Sequence, residues 1–69
     1  MNSFASRLKE LRVEKGYTRQ MLADKLFVSV RLISYWENGM RECDFEKLIK
    51  IADLLDVSID YLIGRVNFY

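Results

Sequence analysis

The sequence predicts an all-α fold, a compact bundle of five short helices. Three observations carry that prediction. Apolar residues recur at spacings of three and four along most of the chain, the period of a helix that buries one face. There is no proline and there are only three glycines, each standing where a periodic stretch stops. Residues with short oxygen-bearing side chains, Thr18, Ser29, Asp44 and Ser58, stand just before periodic stretches. There they can accept the amide hydrogen bonds that a helix start leaves unmade.

The first helix is expected over 3–15, with Phe4, Ala5, Leu8, Leu11 and Arg12 on one side. Gly16 follows Lys15 and suits a left-handed cap, where a residue without Cβ avoids a steric cost. Thr18 caps a second helix that reaches Leu26 and buries Leu22, Ala23 and Leu26. Phe27 and Val28 make a tight connection. Ser29 then caps a third helix over 30–38, with Ile33 and Trp36 inward and Gly39 as its stop. Asp44 opens a fourth helix that runs to about Leu55; Asp44 and Glu46 suit its positive end, and Phe45, Leu48, Ile51, Ala52 and Leu55 form its inner stripe. Ser58 caps a short fifth helix with Ile59, Leu62 and Ile63 inward, ended by Gly64. No sequence repeat or low-complexity tract is evident. Residues 1–65 are expected to form one domain and 66–69 a short apolar tail.

Composition narrows the function. A chain of 69 residues, 51% hydrophobic and 30% charged, is one globular domain near the lower limit at which a single core holds a fold without staples. Cys43 is the only cysteine, so no internal disulfide forms and a reducing cytoplasm is the expected location. Histidine is absent, which excludes a Cys/His zinc site, a Ser-His-Asp triad and a Cys-His pair within one chain. Asp44 and Glu46 read as helix-start charges rather than as an acid and base pair. No enzyme activity, metal, cofactor or small-molecule substrate is therefore expected. No apolar run approaches the roughly 18–20 residues of a membrane span, and the opening Met-Asn-Ser-Phe-Ala lacks the basic and apolar regions of a signal peptide.

The net charge of +1 hides a gradient. Residues 1–41 hold eight cations (Arg7, Lys9, Arg12, Lys15, Arg19, Lys25, Arg31 and Arg41) against four anions, whereas 42–69 hold three cations against six. A molecule polarised in this way can turn one face to a polyanion and keep the other solvated. Any nucleic-acid footprint belongs to the first half.

The stretch 18–39 has the layout of a helix-turn-helix: a short capped helix, a connection of about three residues, and a second short capped helix. In that motif the first helix crosses the DNA backbone and the second sets its N-terminal residues against base edges in the major groove. The wider register resembles the lambda-repressor-like helix-turn-helix family, the phage repressor and Cro type. The resemblance covers about 8–65. It rests on Leu8-Lys9-Glu10-Leu11-Arg12 and Lys15-Gly16, on Thr18 with Leu22-Ala23 and Leu26, and on Val28-Ser29 with Ile33-Ser34. Trp36-Glu37-Asn38-Gly39, Arg41, Asp44, Leu48, Ile51-Ala52, Leu54-Leu55, Val57-Ser58 and Leu62 continue it.

The resemblance implies a sequence-specific, double-stranded DNA-binding transcriptional regulator, a repressor, with an operator as partner. It implies base contacts from Val30, Arg31, Leu32, Ser34 and Tyr35. Arg31 can bond guanine O6 and N7 as a bidentate pair, while Val30 and Leu32 suit thymine methyl groups; Leu32 is equally able to pack inward. It implies phosphate contacts from Thr18, Arg19, Asn38 and Arg41. Relatives commonly carry glutamine at the Arg19 position, and arginine's fork suits phosphate at least as well. Arg12 and Glu37 match a structural ion pair that ties the first helix to the third. Phe27 stands where relatives often have glycine, so a left-handed backbone there would strain a bulky residue. Cys43 stands where proline is frequent.

A domain this small offers few contacts for tight specific binding alone, so a homodimer on a two-fold operator is expected. Its surface is expected to involve the fifth helix and Val66, Asn67, Phe68 and Tyr69, unless that tail folds back on its own core. The alternative is a protein-binding module of the same fold, an antitoxin-like or antirepressor partner with weak or no DNA affinity. The apolar Val30 and Leu32 are its best support.

Overall fold

A computed structural model describes residues 3–69. Among them are five helices and no strand: α1 (Ser3–Glu14), α2 (Arg19–Leu26), α3 (Val30–Glu37), α4 (Phe45–Leu55) and α5 (Ile59–Leu62). Met1 and Asn2, which open the expected domain, lie outside the described residues.

The helix starts follow from the caps. The side chains of Thr18, Ser29, Asp44 and Ser58 accept from the backbone N–H of Met21, Leu32, Lys47 and Tyr61 at 2.8–3.1 Å. Each such cap contributes about 1 kcal/mol. Two helix ends fall one residue short of the expected bounds: α1 closes at Glu14, and α3 at Glu37 with Asn38 as its cap. Gly16 takes the left-handed conformation (φ 78°) that the sequence asks of it.

One core joins all five helices. Leu8, Leu11, Leu22, Leu26, Ile33, Trp36, Ile51, Leu55 and Leu62 are buried almost completely. Burial of each such side chain stabilises the fold by about 1.5–3 kcal/mol before entropy is counted. Phe4 of α1 meets Trp36 of α3 edge to face at a centroid distance of 6.3 Å. The Trp36 indole Nε1 is buried without a hydrogen-bond partner among the described residues.

Three expected core residues are not in the core. Phe45 is 83% exposed, and Ile59 and Ile63 are 37% and 40% exposed. Phe45 directly follows the Asp44 cap, and the first turn of α4 projects past the core, so Leu48 is the first residue of that helix to be buried. The α5 helix is a single turn, which has room for one core residue, Leu62.

The structure also brings out an internal repeat that the plain sequence hides. Ala23-Asp24-Lys25-Leu26-Phe27-Val28-Ser29 and Ala52-Asp53-Leu54-Leu55-Asp56-Val57-Ser58 share the pattern Ala-Asp-x-Leu-x-Val-Ser. The two stretches make the same turn. Phe27 (φ 58°, ψ 43°) and Asp56 (φ 57°, ψ 48°) are left-handed helix caps. The N–H groups of Val28 and Val57 donate to the carbonyls of Ala23 and Ala52, both at 3.0 Å. Ser29 and Ser58 then open the next helix with ψ near 150°. This is the double bond of a Schellman motif: the residue after the cap reaches back over the turn while its apolar side chain, Val28 or Val57, leans on the core. The α2–α3 and α4–α5 pairs are thus joined by the same turn, and the helix that follows is a single turn in the second case.

The chain after α5 packs on its own domain. Gly64 makes this possible: it has φ 90°, and a Cβ there would lie 2.5 Å from Ser3 Cβ. Arg7 of α1 donates to the carbonyls of Tyr61 and Val66 and to Asn67 Oδ1, and its guanidinium lies 4.1 Å from the Tyr61 ring centroid. The Tyr69 hydroxyl donates to the Glu14 carboxylate, and Ser58 N–H donates to the Tyr69 carbonyl at 2.8 Å. Phe68 stays 74% exposed.

Candidate nucleic-acid interface

The α2–α3 pair lies against α1 through α3, and its outer edge collects the residues singled out from the sequence. Ser29 sets the first turn of α3 so that Val30 (41% exposed) and Arg31 face outward while Ile33 is fully buried. Ser34 and Tyr35 are half-buried on the flank of the same helix. Leu32 is half-buried too and packs against the core. Of its two open alternatives, packing inward is therefore at least partly realised, and the apolar part of the outward edge is chiefly Val30.

The polar residues expected to frame that edge are exposed. Thr18 caps α2, Asn38 caps α3 with its N–H donating to the Ser34 carbonyl, and Arg41 follows in the next loop. The Arg41 guanidinium stands 5.9 Å from the Tyr35 ring centroid, within the range in which a ring face attracts a cation. Lys25 lies 5.5 Å from the Tyr17 ring.

Behind the edge sits a charged network. Arg12 and Glu37 are buried, with Arg12 Nε at 2.6 Å from Glu37 Oε2 and Arg12 Nη2 at 3.3 Å from Oε1. Arg12 Nη1 donates to the Tyr17 carbonyl at 2.9 Å, closing the α1–α2 loop over the pair. Removing one partner of such a buried pair costs about 3–5 kcal/mol, because the other charge is left uncompensated. Arg19 joins this network: its Nε donates to Glu37 Oε1 at 3.1 Å, although its side chain is 43% exposed. Sequence reasoning placed Arg19 on a phosphate and missed this bond. No local signal pointed to it, because Glu37 is 18 residues further along the chain and only the packing of α2 on α3 brings the two together.

Arg7 was counted among the basic residues of the first half, but it is committed to the tail. Arg12 is committed to Glu37. The cations that remain exposed on the α2–α3 side are Arg19, Lys25, Arg31 and Arg41. On the α4–α5 side, Glu42, Asp44, Glu46, Asp53, Asp56 and Asp60 are all exposed, so the charge gradient of the sequence becomes a gradient across the molecule. Cys43 lies between the two halves, half-buried; burial first and Asp44 second push its thiol up to about 12, which suits a packing residue and not a nucleophile.

The sequence profile of a family described as helix-turn-helix matches residues 8–62. The chain is 43% identical over 93% of its length to an uncharacterized HTH-type transcriptional regulator, YqaE, of Bacillus subtilis, and covers 56% of that protein. It thus spans about half the length of the curated relatives it matches. Among solved structures, a transcriptional regulator from Listeria innocua superposes with a TM-score of 0.88 at 36% identity, covering 96% of this chain and 62% of that one. The P22 c2 repressor in complex with a synthetic operator superposes with a TM-score of 0.87 at 26% identity, covering 96% of this chain and all of that one. The profile match over most of the chain shows that it belongs to the lambda-repressor-like helix-turn-helix family.

Proposed function

We propose that this chain binds double-stranded DNA as a sequence-specific transcriptional regulator, a repressor, reading the major groove with α3. The observation that carries the reading is the outward edge of α3, where Val30 and Arg31 are exposed on the cationic side of a molecule whose other side is acidic. Arg31 would read guanine through a bidentate pair, and Val30, with the outer part of Leu32, would meet thymine methyls. Ser34 and Tyr35 complete the base-facing edge. Thr18, Arg19, Asn38 and Arg41 would hold the sugar-phosphate backbone on either side. The operator complex of the similar P22 c2 repressor supports this reading.

The working unit in this proposal is a cytoplasmic homodimer on a two-fold operator, with half-sites about 34 Å apart. No helix among the described residues is long and apolar enough to cross a membrane. Selection of bound sequences from a random duplex pool tests the proposal directly. The expected result is a two-fold related site, with duplex affinity that falls steeply as salt rises and drops about tenfold or more in Arg31→Ala. Failure to enrich any duplex, with a protein partner captured through the same α3 edge, would establish the protein-binding alternative instead.

A further inference from the structure

We propose that Glu37 is a positioning residue for DNA binding: it holds Arg19 as a pre-set phosphate clamp at the start of α2. The inference rests on the DNA-binding reading and adds a residue and a mechanism to it. Its basis is a three-member charge cluster on one buried carboxylate. Glu37, with a side chain 1% exposed, accepts from Arg12 through Oε2 at 2.6 Å and from Arg19 through Oε1 at 3.1 Å. Arg12 alone already neutralises Glu37. The second guanidinium therefore leaves a net positive charge, and it lies at the exposed end of the cluster.

The atom used matters. Arg19 engages Glu37 through Nε, at the inner corner of the fork, and its two Nη nitrogens have no partner among the described residues. A guanidinium anchored at Nε keeps its plane and direction while its terminal donors remain available for a bidentate bond to a phosphate. A long cationic side chain ordinarily loses rotamer freedom when it grips a ligand. Here that loss is taken on folding, so binding proceeds with a preorganised group. Neither glutamine nor lysine can do this. Glutamine has no charge, and lysine, whose three donors can reach two acceptors, is a point charge on a flexible stem without the planar fork that fixes a bidentate bond.

Four measurements test the proposal. In the free protein, the Arg19 Nε–H resonance is expected to be sharp and slow to exchange, and to lose that protection in Glu37→Gln. With the operator obtained by selection, Arg19→Gln should weaken binding about tenfold and reduce the salt slope by about one per subunit. Arg19→Lys should keep the slope and still lose several-fold in affinity. Glu37→Gln, assayed at a temperature where circular dichroism shows it folded, should weaken DNA binding in the parent chain but add nothing in the Arg19→Gln background. Equal losses in both backgrounds would make Glu37 merely structural and overturn the proposal. Should Glu37→Gln not fold, the free wild-type protein decides: an Arg19 Nε–H that exchanges fast overturns the clamp, and a protected one together with a several-fold loss in Arg19→Lys upholds it. A chain that shows the protected Arg19 resonance yet enriches no duplex would sink the DNA reading and the clamp together. Normal DNA binding by Arg19→Lys sinks the clamp alone.

Discussion

Left-handed backbone costs a residue with a Cβ about 1–2 kcal/mol, and Phe27, 90% exposed at φ 58°, recovers little of that through burial. The same chain contains the comparison. Asp56 holds the matching turn of the α4–α5 pair with nearly the same dihedrals, and aspartate is one of the few side chains that tolerate this region. Replacing Phe27 by glycine removes the strain and gives back about 0.5–1 kcal/mol to the unfolded chain's extra freedom. We expect Phe27→Gly to raise the melting temperature by about 2–8 °C in a domain of this size. A thermal scan with an equal or lower midpoint would show that the turn is not strained. If the midpoint rises, what keeps a large exposed aromatic there is to be sought in binding, since the fold then gains nothing from it.

The elements show why part of this molecule could be read from its sequence and part could not. Helix starts were legible because a cap is a local event: Thr18, Ser29, Asp44 and Ser58 each act on an amide three residues away. The core stripes of α2 and α3 were legible because both helices are flanked by other elements along their length. Phe45 and the isoleucines of α5 were misplaced because periodicity gives the face of a helix but not how far the neighbouring helices extend. The repeat of Ala-Asp-x-Leu-x-Val-Ser is hard to see in the letters because its two variable positions differ in kind, exposed Lys25 against half-buried Leu54 and apolar Phe27 against charged Asp56. Arg7 escaped notice for the opposite reason. Its partners are 54–60 residues away along the chain, and only the fold brings them together. Because Arg7 links α1 to the carbonyls of α5 and of the tail, Arg7→Ala should cost about 2 kcal/mol in denaturant unfolding, the range for hydrogen bonds to a charged group. A loss below about 0.5 kcal/mol would mean that the end of the chain adds no stability to the bundle.

At the scale of the whole molecule, one turn geometry is used twice with opposite charge. Where α3 shows Val30 and Arg31, α5 shows Ile59 and Asp60, and the inward Ile33 and Leu62 that follow are both fully buried. An acidic edge repels a phosphate backbone, so the α5 side faces away from DNA in the proposed complex. In the proposed homodimer, its exposed Ile59, Ile63 and Phe68 would supply the apolar contact between the two copies. Such a contact converts the second half-site encounter into an intramolecular step, which raises affinity without any new base contact. We therefore expect Phe68→Asp combined with Ile59→Asp to sediment as a monomer while its circular dichroism stays helical, since neither side chain belongs to the buried core. Its affinity for the full operator should fall by at least about tenfold, and its affinity for an isolated half-site should be unchanged. A variant that still sediments as a dimer would move the self-association surface elsewhere. Full-site and half-site affinities falling together would instead mean that α5 supports the reading helix rather than a second subunit.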